Sequence, residues 1–199
     1  MARAKRDLPV LAFKSQQAWD AWLAAQPADS QGLWLKLAKK SSGIASVSKP
    51  EAIDTALCHG WIDGQINSLD DTHWLVRFTP RQPTSKWSEK NRARALALVA
   101  LKRMRPAGQN EIERAKKDGR RDAAYAPQST AEVPDDLRAA LARNKKASAF
   151  FETLDRSNRF AILYRIHNAK KPETRVARIK QFVAMLATGE TLHPQKSRR

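Results

Sequence analysis

The chain has one cysteine, Cys58, among 199 residues. A single thiol excludes an intramolecular disulfide and agrees with a reducing compartment, so the cytoplasm is the expected location. Long hydrophobic runs are missing as well. The apolar stretch at residues 8–13 is interrupted by Pro9 and is shorter than a secretory h-region, and no stretch fits a membrane span, so neither a signal peptide nor membrane insertion is expected. Metal-ligand spacing is also lacking. His59, His73, His167 and His193 stand far apart without an HxxxH or CxxC pairing, and there is no GxxxxGK[ST] phosphate loop. No metal and no cofactor are expected, and the chain contains no internal repeat or low-complexity tract.

Acidic residues are in short supply. Against 37 Lys and Arg stand 20 Asp and Glu, a formal net charge of +17, so the surface should attract anions: an anionic small molecule, an acidic partner or nucleic acid. Residues 1–100 carry a net of +5 and residues 101–199 a net of +12.

What is present suits a foldable chain, with 42% apolar residues and room for one ordinary domain or two small ones. Ser15 is placed to cap a helix over residues 16–26, with Trp19, Trp22 and Leu23 on one face. Leu33, Leu35 and Leu37 alternate with Trp34 and Lys36, which predicts a strand with Trp34 on the face away from the leucines. Ser48 and Glu51 form a capping box for a helix running to about His59, where Gly60 supplies a left-handed turn. Strands are expected over residues 62–68 and 73–79. Ser88 caps a helix over 89–103, and Pro106 starts another that stops at Gly119. After a linker the chain reads as wholly helical: 135–142, 145–154, 158–169 capped by Ser157, and 172–189 with Val176, Ile179, Val183 and Leu186 as its stripe. Phe160, Leu163, Tyr164 and His167 share one face of the third of these. The fold class is α+β: a small antiparallel sheet of about three strands packed with helices over residues 15–125, a linker at 126–133, and an all-helical unit at 134–189. A flexible arm (1–14) and tail (190–199) flank them.

The residues suited to chemistry concentrate at 57–88. Cys58 and His59 are adjacent on a helix, point about 100° apart and cannot form a dyad, so Cys58 reads as a small buried apolar residue and His59 as a group at the helix carboxyl end. Asp70 and Asp71 sit where turns ordinarily take Asp. The arrangement favoured is an anion- or ligand-binding cleft: Arg77 and Arg81 pair with a negative group, Trp61 and Trp87 form its walls, and Ser85 and Ser88 complete it, with Asp63 beside them. Two alternatives stand next to it. The basic, aromatic stretch at 77–94 suits a nucleic-acid-binding module. Asp63 as general base with His73 as partner would define an enzyme, although no reaction is indicated and a non-enzymatic role is expected.

Four ordered blocks then carry a resemblance: ALCHGWIDGQ (56–65), RFTPRQPTSKWSEKN (77–91), RMRPAGQNEIERAKKDGR (103–120) followed by AAY, and SNRFAILYRIHNAKKPETRVARI (157–179). The chain resembles the bacterial YdeI/OmpD-associated family, the bacteriocin-protection proteins. That resemblance implies a stress or protection role linked by name to tolerance of bacteriocins or cationic antimicrobial agents and to an outer-membrane porin. It implies no reaction or cofactor. The matching positions Gly60, Trp61, Asp63, Gly64, Arg77, Pro80, Arg81, Ser85, Trp87 and Ser88 are shared-site candidates by the same resemblance, and Arg121 stands where the family pattern has tryptophan.

Overall fold

The computed structural model describes residues 8–27 and 29–195. The chain divides into two compact units, Met1–Ala124 and Tyr125–Arg199. The basic start of the expected arm and the last four residues of the expected tail lie outside the described residues.

In the first unit the order is β1 (Val10–Ala12), α1 (Gln16–Ala24), β2 (Leu33–Ala38), α2 (Lys49–Cys58), β3 (Trp61–Ser68), β4 (His73–Pro80), α3 (Glu89–Ala100) and α4 (Pro106–Lys117). The sheet has four strands in the order β1-β2-β4-β3, and β1 runs parallel to β2, so it is mixed where three antiparallel strands were expected. The extra strand lies in the stretch read as an arm. At three residues it is too short for an alternation signal, and its partner is more than twenty residues away.

The period of two in β2 decides which face is covered. Leu33, Leu35 and Leu37 are buried with Val76 and Phe78 of β4, Trp61 of β3, Trp19 and Leu23 of α1, and Ala52 and Ala56 of α2. Burying one such leucine contributes about 2 kcal/mol. The indole of Trp19 stacks on Trp22 at 5.4 Å and donates Nε1–H to the Ala52 carbonyl at 3.1 Å, which fixes α1 against α2. Trp34 is absent from this core and stands on the other face, directly opposite Arg77. A second core lies beside the first, where Leu57 and Cys58 at the end of α2 meet Trp87, Ala95, Leu98, Ile112 and Ala115.

Helix starts follow the capping residues. Ser15, Ser48 with Glu51, and Ser88 each accept the backbone N–H three residues on. Gly60 has φ +75°, and a Cβ there would come within 3.0 Å of the Ala107 carbonyl, so this turn both needs glycine's backbone and lets α4 approach.

The second unit contains α5 (Asp135–Ala142), α6 (Lys145–Thr153), α7 (Arg156–His167) and α8 (Pro172–Ala187). Leu137, Leu141, Phe151, Ile162, Ile166, Ile179, Phe182 and Leu186 form its core. Three details differ from the sequence reading. Asp155, two residues before Ser157, caps α7 by accepting the Asn158 N–H at 2.7 Å. Phe182 is buried on α8 while Val176 is 66% exposed, because the helix meets the core only from its second turn. Residues 191–195 fold back on α7. The fully buried Asn158 exchanges hydrogen bonds with the backbone of His193 at 2.9 and 3.1 Å, and Gln195 accepts the Asp155 N–H at 2.8 Å. The architecture is α+β followed by a helical unit.

Candidate functional site

Segment 57–88 is built around Arg81. Its backbone N–H bonds the Gly60 carbonyl at 2.9 Å, and its guanidinium lies 3.7 Å from the centre of the Trp87 ring, with Nη1 on the Lys86 carbonyl at 3.3 Å. Arg81 is only 5% exposed and Trp87 3%, so this is a desolvated cation–π stack, of order 2 kcal/mol. Ser85 Oγ accepts the Gln82 N–H, closing the turn, and Arg120 ties in from beyond α4 with Nη1 on the Ser85 carbonyl at 2.7 Å and Nε on Asp118. Ser88 caps α3 through Asn91, whose Nδ2 donates to Asp63 at 3.3 Å. The structure thus brings together Arg81, Ser85 and Trp87, and separately Asp63 and Ser88.

It separates the others. Trp61 is 4% exposed within the sheet core, its ring against Trp22 at 5.7 Å, whereas Trp87 belongs to the second core, so the two indoles are not walls of one opening. Arg77 alternates with Val76 and Phe78 and therefore projects from the outer sheet face beside Trp34. Asp63 pairs with Phe78 and shares its face, while His73, five residues before Phe78, lies on the opposite one. The pairing of Asp63 as base with His73 as partner is thereby overturned by the pleat of β4. His73 instead bonds the Thr72 hydroxyl at 2.7 Å. Asp70 is a turn residue that accepts the Thr72 hydroxyl and the N–H groups of Thr72 and His73, bonds that hold its carboxyl well below the ordinary range. Among the described residues no group of three His, Cys, Asp or Glu is placed to hold a metal ion. No helix there is long and apolar enough to cross a membrane.

An open cleft of about 480 Å³ lies elsewhere in the first unit. Gln16, Gln17 and Asp20 of α1 form one wall, Thr55 and Cys58 of α2 the floor, and residues 102–105 between α3 and α4 the rim. The wall is fixed by Gln16 donating to the Thr55 hydroxyl at 2.9 Å. Asp20 bonds His59 Nε2 at 2.8 Å and Arg105 Nη2 at 3.2 Å. Burial pushes the Asp20 carboxyl up, but the hydrogen bonds and charges of His59 and Arg105 outweigh it and hold it below its ordinary value. Burial raises the pKa of the Cys58 thiol, and Cys58 is buried beneath the cleft.

The rim follows from the way α3 ends. Lys102 N–H bonds the Val99 carbonyl at 2.9 Å and Arg103 N–H the Leu98 carbonyl at 3.0 Å, a Schellman closure with Lys102 at φ +56° in the position usually held by glycine. Lys102 is the one non-glycine residue at positive φ among the described residues. Neither its ammonium nor the Arg103 guanidinium makes a hydrogen bond or ion pair with a described residue, and both side chains are exposed. Asp20, tied to Arg105, and the two further cations Lys102 and Arg103 thus line one concavity of ligand size. The sequence reading missed Asp20 and Lys102 entirely. The only signal for Arg103 and Arg105 was their place in the RMRPAG block.

The chain is therefore an α+β protein with a basic cleft in its first unit and a helical second unit. Compared with known families, residues 11–111, just over half of the chain, match a domain of unknown function, DUF8412, and residues 130–189 match the family described as Bacteriocin-protection, YdeI or OmpD-Associated. The chain belongs to the family of that first domain, and the match to the bacteriocin-protection, YdeI or OmpD-associated family lies within its second unit. The blocks at 56–65 and 77–91 fall inside the first match, and the block at 157–179 inside the second. No match was found among curated proteins or among solved structures.

Proposed function

We propose that this is a cytoplasmic, bacteriocin-protection-type protein whose first unit binds an anionic small molecule in the cleft rimmed by Lys102, Arg103 and Arg105. The observation that carries the reading is the backbone of Lys102. A lysine held at φ +56° gives up on the order of 1 kcal/mol relative to glycine, and its side chain stands unpaired at the mouth of the cleft. Asp20 fixes Arg105, leaving Lys102 and Arg103 to meet the ligand's charge. Of the residues singled out first, Arg81 and Trp87 act from behind the floor, since Cys58 and Trp87 pack in one core. Ser85, Ser88 and Asp63 shape the turn and the start of α3.

A thermal-shift panel of orthophosphate, pyrophosphate, citrate and a nucleoside monophosphate against a chloride control tests this. At least one anion should raise Tm beyond the salt effect, and the rise should vanish in Lys102→Gly/Arg103→Ala. Glycine relieves the left-handed backbone, so lost binding in that variant is not lost folding. An anion-induced rise that persists in the double variant would overturn the assignment.

A second reading, single-stranded nucleic-acid binding, is favoured by the outer sheet face. There Trp34 lies opposite Arg77 with Lys36 two residues on, and neither cation pairs with a described carboxylate. It predicts oligonucleotide affinity that falls steeply with salt and is weakened by Trp34→Ala.

A further inference from the structure

The α7 face with Phe160, Leu163, Tyr164 and His167, which the sequence marks as one stripe, is not the helix's main core contact. The side buried deepest in the core carries Asn158, Ile162 and Ile166. The Phe160–His167 stripe instead lines a cavity of about 120 Å³ within the second unit, closed by Tyr125 and by Ala131, Glu132 and Pro134. Tyr125 and Tyr164 meet edge to face, with ring centres 4.9 Å apart and planes at 84°. Phe160 lies 5.8 Å from Tyr164 and 6.4 Å from Tyr125. Three aromatic rings at differing angles thus surround one small space.

The charged groups on its lining are unequal. Arg175 is fully engaged: Nε and Nη2 grip Asp136 at 2.5 and 2.9 Å, and Nη1 bonds the Ile166 carbonyl at 3.1 Å. Its charge is neutralised in place. Glu132, also on the lining, makes no hydrogen bond or ion pair with a described residue and is exposed. In a chain of net +17, an unpaired carboxylate beside three rings is a local reversal of sign.

We propose that this cavity binds a small organic cation, an alkylammonium head group. The rings attract it through their quadrupoles, and Glu132 supplies the counter-charge. The cavity's lining residues all come from the second unit, so the proposal stands without the cleft of the first. Arg175 and Asp136 hold the wall, and Leu163, buried in the core on one side, forms its base.

The test uses the chain's composition. It contains two tyrosines, Tyr125 and Tyr164, and both line this cavity, so 3-fluorotyrosine labelling of the full chain gives two ¹⁹F resonances that report there alone. Choline and its neutral isostere 3,3-dimethyl-1-butanol are titrated at fixed ionic strength. Choline should shift the resonances saturably, with the isostere at least about tenfold weaker, as expected when cation–π attraction and a counter-ion act together. Glu132→Gln, at an exposed position, should weaken choline severalfold and leave the isostere unchanged. Equal responses to the two compounds would show an apolar cavity and overturn the proposal. So would the absence of a saturable choline shift, or unchanged choline binding in Glu132→Gln.

Discussion

Asp20 shows how one side chain organises the cleft. Its carboxylate holds His59 at 2.8 Å and Arg105 at 3.2 Å, and its pKa lies below the ordinary value of about 4. A carboxyl whose pKa is depressed by folding contributes stability above its unfolded pKa and loses it as pH falls through the folded value. Asp20→Asn should therefore be less stable than the parent at pH 7 and lose less stability between about pH 4 and pH 2. Urea midpoints measured across that range check it, and parallel curves for the two proteins would contradict it. Residues of this kind were hard to read from sequence because their partners lie 39 and 85 positions away. Lys102 was hidden for another reason. ALVALKR continues a helical pattern, no glycine marks the left-handed turn, and the helix was accordingly drawn to residue 103 when it ends at Ala100. By contrast, Cys58 as a buried apolar group and Asp70 as a turn residue were legible, since both roles are local.

Between elements, α2 and α4 approach closely at Gly108. A Cβ there would lie 2.4 Å from the Cys58 carbonyl and 2.6 Å from that of Leu57, both backbone atoms. Gly108→Ala gains about 1 kcal/mol of helix propensity, yet overpacking of this severity should exceed it, for a net loss of about 1–3 kcal/mol in chemical denaturation. A stabilised variant would show that the helices can part freely. The start of α7 gives a paired test. Asp155→Ala should lose about 1 kcal/mol and Ser157→Ala close to nothing, read from thermal melts of the two variants; the reverse order would restore Ser157 as the cap. In LDRSN both residues are good caps, and local pattern cannot choose between them. The choice is made by burial of Asn158 and its bonds to His193, 35 residues on. Ser15, Ser48 and Ser88 had no such competitor and were read correctly. Strand β1 escaped notice because three residues carry no period, and parallel pairing with β2 supplies what its own sequence lacks.

At the scale of the molecule, each unit closes its own hydrophobic core. All six tryptophans lie in the first unit, so their fluorescence follows that unit alone. Leu137→Ala in the second core should remove about 2–5 kcal/mol there, shifting the loss of far-UV helical signal to lower denaturant while the tryptophan transition stays in place. A single transition displaced as a whole would contradict this. The division also changes where the charge sits. The first unit has 22 basic and 13 acidic residues, a net of +9, and the second has 15 and 7, a net of +8. The basic run at 102–121, which weighted the second half of the sequence, belongs structurally to the first unit and includes the rim of the cleft. The α+β class and the helical second unit were legible from periodicity and caps. The cleft was not, because it is assembled from α1, α2 and the α3–α4 turn, three stretches with no shared local signature.

The most direct test of this account is calorimetric titration of the anion that raises Tm most, among orthophosphate, pyrophosphate, citrate and the nucleoside monophosphate, into the full chain and into Lys102→Gly/Arg103→Ala at two salt concentrations. The account predicts saturable binding to the parent that weakens with salt and is lost in the variant. Binding of equal affinity in both proteins, or none in the parent at low salt, would contradict it.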